Sequence, residues 1–174
     1  MLGLVLLYVG LVLINNGLGG ILNFERKALA FLNVVVGVIS VFCNFVLIYF
    51  LITTSSENLL YFAPAIALLF GITYLFNAFN YIFAWDMRPY GYFSLFVSIN
   101  AILAGILDFI GYFGTNNIFG AFIWLAWAIL WFGGFVECAL GKNLGKFLAF
   151  LALIEGIITG WFAGILILLG VWKW

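Results

Sequence analysis

One carboxylate, two indoles and a phenol stand where polar groups are scarce. Glu155 lies in Ile154-Glu155-Gly156-Ile157, Trp127 and Trp131 bracket Ala128-Ile129-Leu130, and Tyr74 closes Phe70-Gly71-Ile72-Thr73-Tyr74. Each carries a hydrogen-bonding tip, and the aromatic three set it on a large apolar body. Bond-making chemistry is not what this set suggests. The chain has no histidine, no cluster of metal-ligand type and no nucleophile–base pair, so neither an enzyme nor a bound metal or cofactor is expected. Rings with polar tips are instead suited to passing a small neutral solute, with its faces against the rings and its edges exchanging hydrogen bonds.

Such groups must be held by elements that live in lipid. The 174 residues are 68% hydrophobic and 7% charged, against about 25% charged in a soluble domain. Six apolar stretches fill the chain, at roughly 2–22, 28–52, 61–84, 91–112, 118–139 and 146–171, with ends uncertain by about two to four residues. Each reaches the about 20 residues that a helix needs to cross the hydrocarbon core. The reading is one all-α integral membrane domain over 1–174, with links too short for a soluble module. The links after the first, third and fifth helices hold Arg26, Lys27, Arg88, Lys142 and Lys146, whereas Thr53–Leu60 and Phe113–Asn117 hold no Lys or Arg. Basic links stay in the cytoplasm, so both termini are expected outside. The first helix has no basic residue ahead of its apolar run and is read as a span, not a signal peptide. Cys43 and Cys138 sit in separate spans as small core residues. A net charge of zero with no basic cluster argues against nucleic acid as a partner.

A weak internal repeat has a period of two helices. The second, fourth and sixth helices open on Leu29-Ala30-Phe31-Leu32-Asn33, Gly91-Tyr92-Phe93-Ser94-Leu95 and Lys146-Phe147-Leu148-Ala149-Phe150, and break near mid-span at Gly37 and Ser40, at Asn100 and at Glu155-Gly156. Three hairpins about an axis would leave a central route between them.

Three sets of side chains have helical spacing. Leu2, Leu6, Val9 and Leu13 fall within about 60° of arc. Trp124, Trp127 and Trp131 form a second set, and Phe70 with Tyr74 a third. Helix–helix contact produces the same period, so spacing alone leaves both readings open. Depth favours the functional one for the indoles. Membrane tryptophans gather in interfacial belts, where Trp85, Trp161, Trp172 and Trp174 are placed, whereas Trp131 and Tyr74 lie about 20 Å into their helices. Glu155 lies about 14 Å in from the basic-link side. A charge at mid-span costs about 2.5–3.5 kcal/mol and marks a pathway by default. Glu137, Asp86 and Asp108 lie near span ends and are expected to reach the interface, while Asn33, Asn44, Asn77, Asn80 and Asn100 are candidates to bridge helices, at about 0.6 kcal/mol each.

No ladder of acids or bases crosses the membrane, as a proton- or ion-coupled transporter would need, and no Thr-Val-Gly-Tyr-Gly filter appears. The lining suits a flat, uncharged, polar solute such as urea or a small amide. A membrane scaffold that transports nothing is the third reading.

Longer segments then carry a family resemblance. They are Met1-Leu2-Gly3-Leu4-Val5-Leu6-Leu7-Tyr8-Val9-Gly10, Phe70–Leu75, Trp85-Asp86-Met87-Arg88-Pro89-Tyr90, Ser94–Asn100, Ile123–Trp127, Leu144–Phe147 and Ile154–Ile157. Through them the chain resembles the AmiS/UreI family of bacterial urea and short-chain amide channels, and more narrowly its proton-gated urea channel branch. The resemblance implies a two-helix hairpin repeated three times around a protomer pore, in a homo-hexamer with lipid filling its centre. It implies the bacterial cytoplasmic membrane, urea or a small amide as permeant, and a cytoplasmic urease or amidase as functional partner. The pore positions it implies are Leu2, Leu6, Val9 and Leu13; Phe70 and Tyr74; Trp124, Trp127, Leu130 and Trp131; and Glu155. Trp127 with Leu6 would narrow the outer half, and Trp131 with Tyr74 the inner half. One departure matters. Acid-gated members have a long outward loop bearing histidine, and this chain has neither that loop nor any histidine. Histidine, with an unperturbed pKa of about 6.5, is the side chain that switches in mild acid. The expectation is therefore a channel that does not depend on acid to open.

Overall fold

The computed structural model describes residues 1–174. Hydrocarbon cannot satisfy backbone polar groups, so each crossing must close its own hydrogen bonds within a helix. The chain does this six times. The helices are α1 (Leu2–Leu22), α2 (Arg26–Thr54), α3 (Phe62–Phe83, entered through a short 3₁₀ turn, Asn58–Tyr61), α4 (Arg88–Phe109), α5 (Ile118–Cys138) and α6 (Lys146–Glu155). The sixth span continues from α6 through a π-helical turn (Gly156–Phe162) into α7 (Ala163–Leu168). Six spans of this length and hydropathy make it a multi-pass membrane protein.

Three ends depart from the sequence expectation by about a turn, one of them the C-terminus of α4, which stops at Phe109. Helix α4 begins at Arg88, because Pro89 falls in its first turn, where a missing N–H costs nothing. The sixth span stops at Leu168, and Gly170 in the left-handed region (φ 70°) turns the chain away. On the basic-link side, α1 and α3 each end on a left-handed residue, Asn23 and Ala84.

Three tight pairs make the bundle: α2 on α3, α4 on α5, and α1 on the sixth span, so that the two chain ends close the ring. Apolar side chains gain little by leaving lipid for one another, so close backbone approach supplies much of the association. It is most severe where α1 crosses the π turn. A Cβ on Gly160 would lie 2.5 Å from the Gly10 Cα, and one on Gly10 would strike the Trp161 backbone. At the α2–α3 crossing, a Cβ on Gly37 would come within 3.1 Å of the Gly71 carbonyl oxygen.

The core runs along α1, α3 and α5 and includes Val9, Val12, Phe70, Tyr74, Trp127 and Trp131. Among the five amides, Asn33 and Asn77 bridge helices. Asn33 exchanges two hydrogen bonds with Asn16 (2.8 and 3.1 Å), and the Asn77 amide donates to the Tyr90 hydroxyl (3.1 Å). Asn44 and Asn100 instead donate to carbonyls of their own helices, Ser40 and Phe96, and Asn80 is buried without a partner. Asp108 does not reach the interface either, being 6% exposed. The α4–α5 link folds back over it, with the Asn117 N–H donating to the Asp108 carbonyl (2.9 Å).

Candidate functional site

Helices α1, α3 and α5 carry their candidate residues to the bundle interior, where two cavities approach each other from opposite ends. The one on the side of the termini measures 80 Å³ and is lined wholly by apolar residues: Leu2, Val5, Leu6 and Val9 of α1, Ala63, Ala67 and Phe70 of α3, Trp124 and Trp127 of α5, and Trp174. The one on the basic-link side measures 740 Å³ and is more polar. Leu13, Phe70, Tyr74, Trp127, Leu130 and Trp131 border it together with Asn16, Thr73, Asn77, Tyr81, Tyr90, Arg26 and Glu137. Ten of the eleven positions singled out in the sequence thus face one cavity or the other, and Phe70 and Trp127 face both.

Those two rings form the wall between the cavities. Phe70 meets Trp127 and Trp131 edge to face, with ring centroids 4.8 and 4.7 Å apart, and Trp124 at 6.0 Å. Edge-to-face contacts are favourable by about 0.5–1.5 kcal/mol each beyond the area they bury, so the three indoles hold the phenyl ring between the two cavities. This wall is made of π faces with no charge in it.

The eleventh position, Glu155, borders neither cavity. It is 3% exposed, and both carboxyl oxygens lack a hydrogen-bond partner within the protein. Its neighbours on the same helical face locate it. Ala152, three residues earlier, lines the basic-link cavity, and Thr159, four residues later, touches Trp127. Glu155 therefore lies along the sixth span between the wide cavity and the aromatic wall.

Two residues that the sequence reading did not single out join this site. Thr159 accepts the Trp127 indole N–H at 2.8 Å and donates its own hydroxyl to the Glu155 carbonyl at 2.6 Å. The indole of Trp127, expected to offer its N–H inward, is already engaged. Trp174, assigned by type to the interfacial belt, instead stacks on Trp127 at 6.0 Å with an 11° interplanar angle and meets Trp124 at 5.8 Å. Gly170 makes this possible by returning the chain over the small cavity. Composition holds no signal for this placement, since an indole near a span end fits either location.

Comparison with known proteins is consistent with this arrangement. The family model described as AmiS/UreI family transporter matches residues 1–171. The acid-activated urea channel of Helicobacter pylori (strain ATCC 700392 / 26695) is 41% identical, across 99% of this chain and 100% of that protein. A putative amidate substrates transporter protein of Mycolicibacterium smegmatis is 38% identical, across 98% of this chain and 78% of that one. Among solved structures, the Helicobacter pylori urea channel in its closed state superposes with a TM-score of 0.89 at 43% identity, covering 99% of this chain and 100% of that chain.

Proposed function

We propose, given that this chain belongs to the AmiS/UreI family of transporters, that it is a passive channel for urea in the cytoplasmic membrane of a bacterium and opens without acid. Like its relatives it is a transport protein and not an enzyme. The observation that carries the reading is the convergence of two cavities, one from each end of the bundle, on the same pair of rings, Phe70 and Trp127. In this conformation the rings stand across the route. A flat solute passes when Phe70 tilts out from between Trp127 and Trp131, and it then keeps an aromatic face on each side. Leu2, Leu6, Val9 and Trp124 strip and admit it on the outer side. Leu13, Tyr74, Leu130 and Trp131 receive it at the head of the wide cavity, and the unpartnered carboxyl of Glu155, buried beside the wall, takes its N–H groups when the wall opens.

The basic links support a wide cavity on the cytoplasmic side, with both termini outside. The solute then emerges where a urease or amidase would consume it. A homo-hexamer with a central lipid plug is the assembly we assign. A preference for short-chain amides over urea is the second reading, favoured by the likeness to the amidate transporter. Stopped-flow swelling of proteoliposomes decides between them. Urea flux above that of empty vesicles, equal at pH 7.5 and pH 5 and ahead of acetamide, thiourea and glycerol, is the expected result. Acetamide ahead of urea supports the second reading, and no flux above empty vesicles for any of the four overturns both.

A further inference from the structure

The Trp127 indole touches both cavities, yet its donor is turned away from them, toward the sixth span. The cause lies in α6. After Glu155 the helix opens into the π turn Gly156–Phe162, and the wider turn presents Thr159 to the indole. Thr159 is 5% exposed and Trp127 is 3% exposed, so no water competes for either group. The Thr159 hydroxyl fills both of its roles, accepting from Trp127 at 2.8 Å and donating to the Glu155 carbonyl at 2.6 Å. The chain from indole N–H to hydroxyl to carbonyl is complete and keeps the Trp127 donor from pointing at the route.

We propose that Thr159 is a positioning residue that sets selectivity, by occupying the Trp127 N–H so that this indole offers permeants its ring face and no donor. This inference rests on the reading that Trp127 borders the passage. With the donor engaged, a carbonyl and a thiocarbonyl solute meet the same apolar surface and are told apart at this point by shape. With the donor released, a good acceptor is favoured over a poor one, and oxygen accepts better than sulfur.

The test is the urea-to-thiourea permeability ratio in proteoliposomes. Thr159→Val keeps the shape of threonine and removes its hydroxyl, and the ratio is expected to rise about two- to tenfold, the range that one hydrogen bond spans. Thr159→Ser retains the hydroxyl and keeps the wild-type ratio. In a Trp127→Phe background, where no N–H exists, Thr159→Val is expected to change nothing further. An unchanged ratio in Thr159→Val, or an equal rise with phenylalanine at 127, overturns the proposal alone. If Trp127→Phe has wild-type permeability to every solute, the reading of Trp127 as part of the passage falls with it. Should Thr159→Val fail to fold, the indole proton resonance of Trp127 in the ¹⁵N-labelled wild type decides. It is expected in the downfield, hydrogen-bonded range, and a free-indole shift overturns the proposal.

Discussion

Glu155 is the one carboxyl of the chain that lies well inside a span, and no side chain or backbone donor reaches it. Buried polar groups are nearly always paired within the protein, and exceptions call for a reason. The proposed conduction would supply one, if a permeant with N–H groups reaches those oxygens when the aromatic wall opens. Glu155→Leu is therefore expected to lower urea permeability by about two- to tenfold, in line with the roughly 0.5–1.5 kcal/mol of one hydrogen bond. Unchanged flux through correctly assembled Glu155→Leu channels would assign the residue a purely structural role. The depth of Glu155 was legible from the sequence by counting residues along the span. Its lack of a partner was not, because the sequence leaves any amide on another helix an eligible donor.

The helices place these groups through their backbones more than through their side chains. The α1 crossing over the sixth span needs glycine on both faces at Gly10 and Gly160, and it coincides with the π turn that carries Thr159 to Trp127. A methyl at residue 160 would meet the Gly10 Cα at 2.5 Å and its N at 2.7 Å. Both are backbone atoms that cannot swing aside. Gly160→Ala is expected to cost about 1–3 kcal/mol of stability, read as a drop of several degrees in the unfolding midpoint of detergent-solubilised protein. A midpoint within a degree of wild type would show that the crossing relaxes freely. Helical spacing grouped the side-chain sets of α1, α3 and α5, and in the structure those sets line the two cavities. It carried no information on the π turn, since a π turn is forced by what the helix packs against and leaves no period of its own.

The molecule as a whole keeps charge out of the wall between its two cavities. Five of the six basic residues gather at the links on one side, with Lys173 at the other, and the wall between the cavities is aromatic. Of the charged groups in the links, Asp86 is held below the ordinary carboxylate value of 3.8, chiefly because the Arg88 side chain donates to it. A lowered carboxylate contributes stability above its unfolded pKa and loses it as the pH falls through its folded value. That window lies below pH 4, outside the range in which a histidine would switch. Urea flux is accordingly expected to stay within about twofold between pH 7.5 and pH 5. A several-fold rise on acidification would point to gating by a carboxyl group.

Spans, their alternation across the membrane and the depth of each polar residue are properties of short stretches of chain, set by apolar length, rise per residue and the sidedness of basic links. They could be read from residues 1–174 without a neighbour in view. The partners of those residues could not. Trp127 finds Thr159 across 32 positions, Trp174 leaves the interface to stack on Trp127, and Asp108 is sealed beneath its own link. Each outcome depends on which helix faces meet and on where a left-handed glycine returns the chain. In a sequence this uniformly apolar, every face is equally compatible with lipid, with another helix or with a cavity, so packing alone makes the choice.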